Sequence, residues 1–336
     1  MRIGLFGGSF DPPHRGHIAL ARLAAERMGL GRVLFAPVGV QPLKRDRPQA
    51  SFPDRVAMTR LALAGEKGME LSLIDAPRAD GRPNYTIDAV RTLTVLGCDG
   101  SWPGPGGAGS GYLVRAATTS IMLDAGPGTF AQLQRHVDPG ALTAVILTHV
   151  HPDHWTDLES FATWAGFGPG RERFGGPGGR LLPVFATPGA RERSHFAGAP
   201  WLDWRELAPS MVLSLGVLEA RFGATEHGTP TLAVHLSHEG ATLAYSADSG
   251  PGWSVEELGT AIGTFLCEAT YTQELEGSLL HLSGREAGAM ARAAGVGRLI
   301  VTHRWPTVSA DDVRREAELA FGRPVEQASM GAVFAW

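Results

Sequence analysis

The chain opens with a regular alternation that then stops. From Arg2 to Leu93, short apolar runs ("RIGLFGG", "RVLFAPVG", "MELSLID") take turns with helix-period segments ("HIALARLAAERMG", "PDRVAMTRLALAG", "YTIDAVRTL"). Strands alternating with helices are joined by right-handed crossovers, so this pattern restricts the region to a parallel sheet covered by helices. After Leu93 the alternation is not continued. "TVLGCDGSWPGPGGAGSGYLV" restarts with a new strand and a Gly/Pro-rich loop, with no polar linker in between. A chain of 336 residues has room for two cores. The boundary is expected near Leu93, with residues 1–93 as one unit and residues 94–336 as the other.

The second part mixes short apolar strands ("SIMLD", "TAVILTH", "ATLAYSAD", "TFLCEAT", "RLIVTH") with helical segments such as "GREAGAMARAAG". Between Met211 and Asp248, alternating segments joined by "SHEG" predict an antiparallel meander. The whole predicts an α/β sandwich of two sheets with outer helices. Residues 165–180, rich in glycine, read as a surface loop. With 30 Lys+Arg against 34 Asp+Glu, a net charge of −4 and no run of like charge, the composition argues against a long nucleic acid or a membrane surface. A small substrate fits better. No apolar run reaches the ~20 residues a membrane helix needs. Cys98 and Cys267 are too few for a disulfide framework; both read as buried apolar residues of a protein in a reducing cytoplasm.

"LTHVHPDHWTD", Leu147 to Asp157, follows directly on an apolar strand. His149 and His151 are two apart, so in extended chain both side chains point the same way and two imidazoles can share one ion. Pro152 redirects the backbone, and Asp153 with His154 offers a second half-site. A tetrahedral ion wants further ligands. His227 in "TEHGTP", Asp248 in "AYSADSG" and His303 in "IVTHRWP" all sit just after or between predicted strands, where they can converge on one sheet edge. Alone, each histidine would read as an ordinary strand-end residue and Asp248 as a turn residue. The H-x-H-x-D-H run followed by His, Asp and His in that order makes coincidence a poor account.

This pattern resembles the metallo-β-lactamase-fold hydrolases over residues 94–336. The resemblance implies an αββα sandwich with His149, His151 and His227 on one zinc, Asp153, His154 and His303 on another, and Asp248 bridging them. Asp124 in "MLDAGPG" would order the ligand loop without touching metal. Imidazole-rich ligation favours Zn²⁺, with Mn²⁺ or iron compatible with the same ligand types. Two divalent cations sharing a hydroxide supply a nucleophile at neutral pH and stabilise charge on a phosphoryl or carbonyl oxygen, and Asp153 is placed to orient it. Glu268 in "FLCEATY" and His281 in "LLHLSGREAG" resemble the acid–histidine pair of the phosphodiesterase branch, which includes transfer-RNA 3′ processing nucleases. There the histidine protonates the leaving oxygen and the carboxylate orients it. The plainer alternative is that His281 caps the helix starting near Ser283 while Glu268 makes a salt bridge. His227 and Asp248 are only 21 positions apart, too few for the long substrate arm of the transfer-RNA nucleases. The expected substrate is therefore a small nucleotide or cyclic phosphodiester, with esters, lactones and β-lactams open on the same metals.

"GLFGGSFDPPHRGH" follows the opening strand and leads into a helix. Its glycines let the backbone approach a ligand, and the helix N-terminus offers free N–H groups to phosphate. The motif resembles that of the bacterial nicotinate-mononucleotide adenylyltransferases, a Rossmann-like nucleotidyltransferase family. That implies nucleotide contacts at Gly7, Gly8, Phe10, Asp11, His14, Gly16, His17 and Lys44, with ATP and Mg²⁺ as cofactors. Yet only the family's first half is present. A three-stranded partial sheet leaves an edge to be covered by the hydrolase or by a second copy of the chain in a homodimer. Two further readings follow: a transferase making deamido-NAD and pyrophosphate from ATP and nicotinate mononucleotide, and a nucleotide-binding scaffold with structural metals.

Overall fold

A computed structural model describes residues 2–39, 49–77, 91–174 and 178–336. The chain forms two compact units, Met1–Val90 and Arg91–Trp336. In the first, β1 (Arg2–Gly8), β2 (Leu30–Pro37) and β3 (Met69–Leu71) pair in parallel in that order. Helix α1 (Arg15–Met28) crosses from β1 to β2 and stops at Gly29, whose φ of +61° is easy only without a Cβ. Helix α2 (Phe52–Ala62) starts at Ser51, whose hydroxyl accepts from the Asp54 N–H. Phe10, Ala21, Val33, Phe35, Leu63 and Met69 fill the small core between sheet and helices. The parallel half-sheet expected from the alternation is what forms.

The boundary lies three residues earlier than expected. Arg91–Leu93, read as the end of a helix, are instead the start of a strand of the second unit. Leu93 is fully buried and pairs with Val114, and burial in a sheet core outweighs the helical period of the preceding residues.

The second unit is a four-layer α/β sandwich. Its strands are β4 (Arg91–Gly97), β5 (Gly111–Ala116), β6 (Thr119–Leu123), β7 (Ala144–Leu147), β8 (Leu182–Ala186), β9 (Leu202–Glu206), β10 (Val212–Leu215), β11 (Leu218–Ala224), β12 (Leu232–His238), β13 (Ala241–Tyr245), β14 (Thr264–Glu268), β15 (Arg298–Thr302), β16 (Glu326–Gln327) and β17 (Val333–Ala335). One sheet runs β17-β4-β5-β6-β7-β8-β9 and the other β10 through β16 in chain order. The expected meander is β10 to β13, antiparallel throughout. Strands β6 to β9 and β13 to β16 are parallel, so the loops at their C-terminal ends gather along one edge of each sheet.

Between the sheets, Val95, Tyr112, Val114, Ile146, Val234, Leu243 and Tyr245 interleave. Helices α3 (Thr129–Leu133), α4 (Pro152–Trp155), α5 (Leu158–Phe167) and α6 (Ala190–Arg193) belong to the first sheet's side, where Phe130, Leu158, Phe161 and Ala190 join its outer core. Helices α7 (Gly284–Ala293) and α8 (Ala310–Phe321) cover the second. They cross closely because Gly284 and Gly288 leave room: a Cβ on either would come within 2.3 Å of a carbonyl oxygen of α8. The surface loop expected at 165–180 is only partly that. Residues 165–167 end α5, and Gly166 and Gly170 are buried against Trp201 and Trp164, so the glycines serve close packing. Residues 175–177 lie outside the described residues.

Candidate metal centre

The apolar strand β7 delivers Thr148 to His151 at its C-terminal end, and Pro152 opens the four-residue helix α4 that carries Asp153 and His154. His227 follows β11, Asp248 follows β13, and His303 follows β15. These segments meet. Donor atoms of His149, His151, His227 and Asp248 lie within 4.8 Å of one another, as do those of Asp153, His154 and His303. Asp248 stands between the groups: Oδ2 is 3.5 Å from His149 Nε2, and Oδ1 is 3.2 Å from His154 Nε2 and 3.3 Å from His303 Nε2.

The rings of His149, His154, His227 and His303 are held from behind, so that the other nitrogen of each faces the cluster. The hub is Asp124, fully buried. Its carboxylate accepts from the Thr148 N–H (2.8 Å), the Thr148 hydroxyl (2.9 Å), His154 Nδ1–H (2.8 Å) and the Tyr245 hydroxyl (2.9 Å). Asp124 therefore fixes both the ligand loop and the ring of His154, and takes no part in the donor groups. His227 Nδ1–H donates to the Leu280 carbonyl (3.1 Å), which leaves Nε2 as a lone pair 3.1 Å from His151 Nδ1. Thr270 donates its hydroxyl to Glu268 (2.7 Å) and faces His303 Nδ1 at 3.0 Å, so His303 Nε2 points to Asp153 at 3.2 Å. Asp124, Ala247 and His303 all have φ between +53° and +56°. For non-glycine residues this conformation costs about 1–3 kcal/mol each and survives only where the surroundings enforce it.

Burial and charge oppose each other here. Burial would depress His154, but Asp248, Asp153 and Asp124 hold it well above the ordinary imidazole value. Burial, helped by His154, pushes His149 down to about 4. Asp248, which burial alone would raise, is held well below the usual carboxylate range by His154, His303 and His149. The carboxylates thus demand positive charge at this spot. Among the buried polar atoms without a hydrogen-bond partner are His149 Nε2, His154 Nε2 and Asp248 Oδ1, all aimed into the cluster. Orphaned atoms of this kind, in an imidazole and carboxylate set without thiolate, fit divalent cations of the zinc type.

Glu268 and His281 sit at the rim. Glu268 is fully buried, and its oxygens accept from the Ser249 N–H (2.5 Å), the Leu282 N–H (3.2 Å), Thr270 and His281 Nδ1–H (3.1 Å). The His281 ring stacks on that of His303 at 5.4 Å. Burial would lower its pKa, but Glu268 lifts it to about 9. His281 does not cap the helix that follows it, because Ser283 caps α7, paired reciprocally with Glu286.

Several residues at this site carry no sequence signal: Thr270, Tyr245, the Leu280 carbonyl, and the Ser101 N–H that donates to Asp153 Oδ2 at 2.8 Å. Elsewhere Cys267 is fully buried and Cys98 half-buried, its thiol pushed up to about 12 by burial.

In the first unit, His14 and His17 stack at 3.8 Å at the start of α1, and the His14 N–H donates to His17 Nδ1 at 3.1 Å. Gly7 and Gly8 end β1, and Gly16 lies in the first turn of α1. Asp11 accepts from the Gln49 (2.6 Å) and Ala50 (3.1 Å) N–H groups. Phe10, expected near a nucleotide, is buried in the core against Phe6, Phe35 and His17, and its contribution is to packing. Lys44 lies outside the described residues. Among the described residues no helix is long and apolar enough to cross a membrane.

Comparison with known proteins finds relatives of both parts of the chain. A model of the beta-lactamase superfamily domain matches residues 119–304, and a cytidylyltransferase-like model matches residues 5–115. An uncharacterized protein of Mycobacterium tuberculosis is 37% identical over 253 residues, 71% of this chain and 90% of that protein. The Bacillus subtilis protein YhfI, a probable metallo-hydrolase, is 29% identical over 254 residues, 73% of this chain and 98% of its own. Its crystal structure superposes with a TM-score of 0.67 over 74% of this chain and all of that one. At the N-terminus, a probable nicotinate-nucleotide adenylyltransferase of Gloeobacter violaceus is 52% identical over 92 residues, 27% of this chain and 44% of that protein. The folds of human tRNase Z, short form, and of a diphosphatase of the PhnP family are also shared, at TM-scores of 0.59 and identities of 17% and 15%. With an αββα sandwich, its histidine–aspartate edge and these matches together, the chain belongs to the beta-lactamase superfamily as a metallo-β-lactamase-fold protein, preceded by a cytidylyltransferase-like half-domain.

Proposed function

We propose that residues 91–336 are a metal-dependent phosphodiesterase acting on a small nucleotide or cyclic phosphodiester. Two zinc ions would be held by His149, His151 and His227 and by Asp153, His154 and His303, with Asp248 shared; manganese or iron suits the same donors. Such cations lower the pKa of water and neutralise charge on a phosphoryl oxygen. The protein's own residues do the rest. Asp153 accepts a hydrogen bond at the cluster and orients the attacking group. His281, its Nδ1–H committed to Glu268, has Nε2 left to give a proton to the departing oxygen, while Glu268 fixes the ring and stabilises its charge. The observation that carries this reading is the buried Glu268–His281 pair stacked against His303 at the rim of the cluster. Ester or lactone hydrolysis has less need of a proton donor built in this way. The likeness in fold to tRNase Z and to a diphosphatase supports the phosphoryl class. The 20 residues between His227 and Asp248 are largely taken up by β12 and β13, which supports a small substrate over a transfer RNA.

The test is hydrolysis of bis(p-nitrophenyl) phosphate by zinc-loaded protein beside Asp248→Ala. Turnover that falls to background in the variant, with zinc content reduced, is the expected result. Turnover that persists in the variant places the chemistry elsewhere, and none in either protein overturns the phosphodiesterase reading.

A second reading concerns the first unit, where 52% identity over 92 residues favours a role in binding nucleotide. Because the match spans under half of that relative, ATP docking at the N-terminus of α1 is a closer fit than complete nicotinate-mononucleotide adenylyl transfer. Release of pyrophosphate from ATP and Mg²⁺ only when nicotinate mononucleotide is present would show the full reaction.

A further inference from the structure

Beside the metal cluster lies a cleft of about 410 Å³, within the range of about 300–1,000 Å³ that small-molecule sites occupy. It is formed by the loop after β8, the end of β9 with the segment beyond it, and the loop from β11 to β12. His227 belongs to both the cleft wall and the donor cluster, so a molecule with its phosphate at the cluster can place an attached group here.

The cleft's chemistry narrows that group. Leu207, Pro209 and Pro230 give it apolar walls, and no Lys or Arg occurs among the described residues that line it. A second phosphate would find no counter-charge. Glu206 is the carboxylate in the lining; it is exposed and makes no ion pair among the described residues. The nearby arginines are engaged elsewhere, Arg205 with Asp203 (2.7 Å) and Arg191 with the Ala197 carbonyl (3.0 Å). Thr187, 3% exposed, contributes a buried hydroxyl with no hydrogen-bond partner among the described residues. A buried polar group of this kind calls for a ligand atom or water.

We propose that this cleft is a nucleobase subsite, in which Glu206 accepts hydrogen bonds from a base carrying adjacent N–H donors and the Thr187 hydroxyl completes the polar contacts. Among the bases, guanine offers two such donors side by side, a ring N–H and an exocyclic amino group. Uracil offers one ring N–H between two carbonyls that face the carboxylate unfavourably. The order of preference is guanine, then adenine and cytosine, then uracil. This rests on the phosphodiesterase reading for its biological use, since the base would be that of the nucleotide being cleaved, but base recognition can be measured without turnover.

The experiment is binding of guanosine and of uridine to the zinc-loaded full chain, read by saturation-transfer NMR and by competition between the two nucleosides. The wild type is expected to prefer guanosine by about 10-fold, in keeping with hydrogen bonds to a charged acceptor. Glu206→Gln, which keeps the shape but replaces one acceptor oxygen by a donor, should cut the preference below about two-fold. Thr187→Val, of the same shape without the hydroxyl, should weaken both nucleosides. Equal binding of the two by the wild type, or an undiminished guanosine preference in Glu206→Gln, overturns the assignment. Failure of the phosphodiesterase reading would show differently, as absence of diester cleavage by a protein whose guanosine preference still depends on Glu206.

Discussion

Both units present histidines beside the end of a strand, and their surroundings are opposite. In the first unit His14 is exposed, His17 is half-buried, the two stack on each other, and among the described residues neither forms an ion pair with a carboxylate. In the second, His149, His154 and His303 are buried with Asp124, Asp153 and Asp248 around them, and a hydroxyl, carboxylate or carbonyl fixes the back of most rings. A histidine's spacing says that it can bind something. What holds its other nitrogen, and what charge surrounds it, says how firmly.

The largest effect that sharpens this contrast is at His281. With Glu268 behind it, His281→Ala should lower kcat/KM by about 10²–10⁴ for a diester whose leaving group is a poorly acidic sugar hydroxyl. A p-nitrophenyl diester should lose far less, because p-nitrophenolate departs without a proton. Steady-state rates on the two substrates decide it. Equal losses on both would mean that His281 only positions its neighbours.

Much of this was legible in the sequence, for identifiable reasons. The alternation over residues 1–93 and the meander from β10 to β13 are local patterns, and local patterns survive folding. Five of the seven residues expected as ligands lie just past strand ends, Asp153 and His154 follow on the short helix α4, and strands that run in the same direction bring such ends together whatever their distance in the chain. What was hidden is what only packing creates. Thr270 looks like any strand-edge threonine until the parallel register sets Glu268 level with Thr302 and places His303 beside it. Phe10 reads as part of a nucleotide motif, yet its ring is core. Glu206 and Thr187 belong to different strand ends, and no motif links them. Leu93 closes a stretch whose sequence has a helical period, yet it lies in a buried strand, which shifted the boundary.

A smaller effect tests whether the support behind His154 matters. Asp124→Asn keeps the shape but removes the charge opposite His154 and one acceptor of the four-membered network. Loss of such a support weakens metal binding by about 10–100-fold. Competition for zinc with a chromophoric chelator measures it, and affinity equal to wild type would show that the buried aspartate serves folding alone.

The smallest expected effect is the one that could break the comparison. His17→Ala removes a ring that stacks on His14 and touches Phe10, while every donor atom of the metal groups lies in the other unit. Burial, with His14 adding to it, lowers the pKa of His17, so at neutral pH the substitution removes little charge. Zinc affinity and turnover of bis(p-nitrophenyl) phosphate should stay within about two-fold of wild type, since the substitution removes no donor atom and substitutions outside such features usually shift energies by about 0.5 kcal/mol or less. ATP binding should weaken. If hydrolysis falls with it, the open histidine pair and the buried cluster answer to each other, and the half-domain is a working part of the hydrolase.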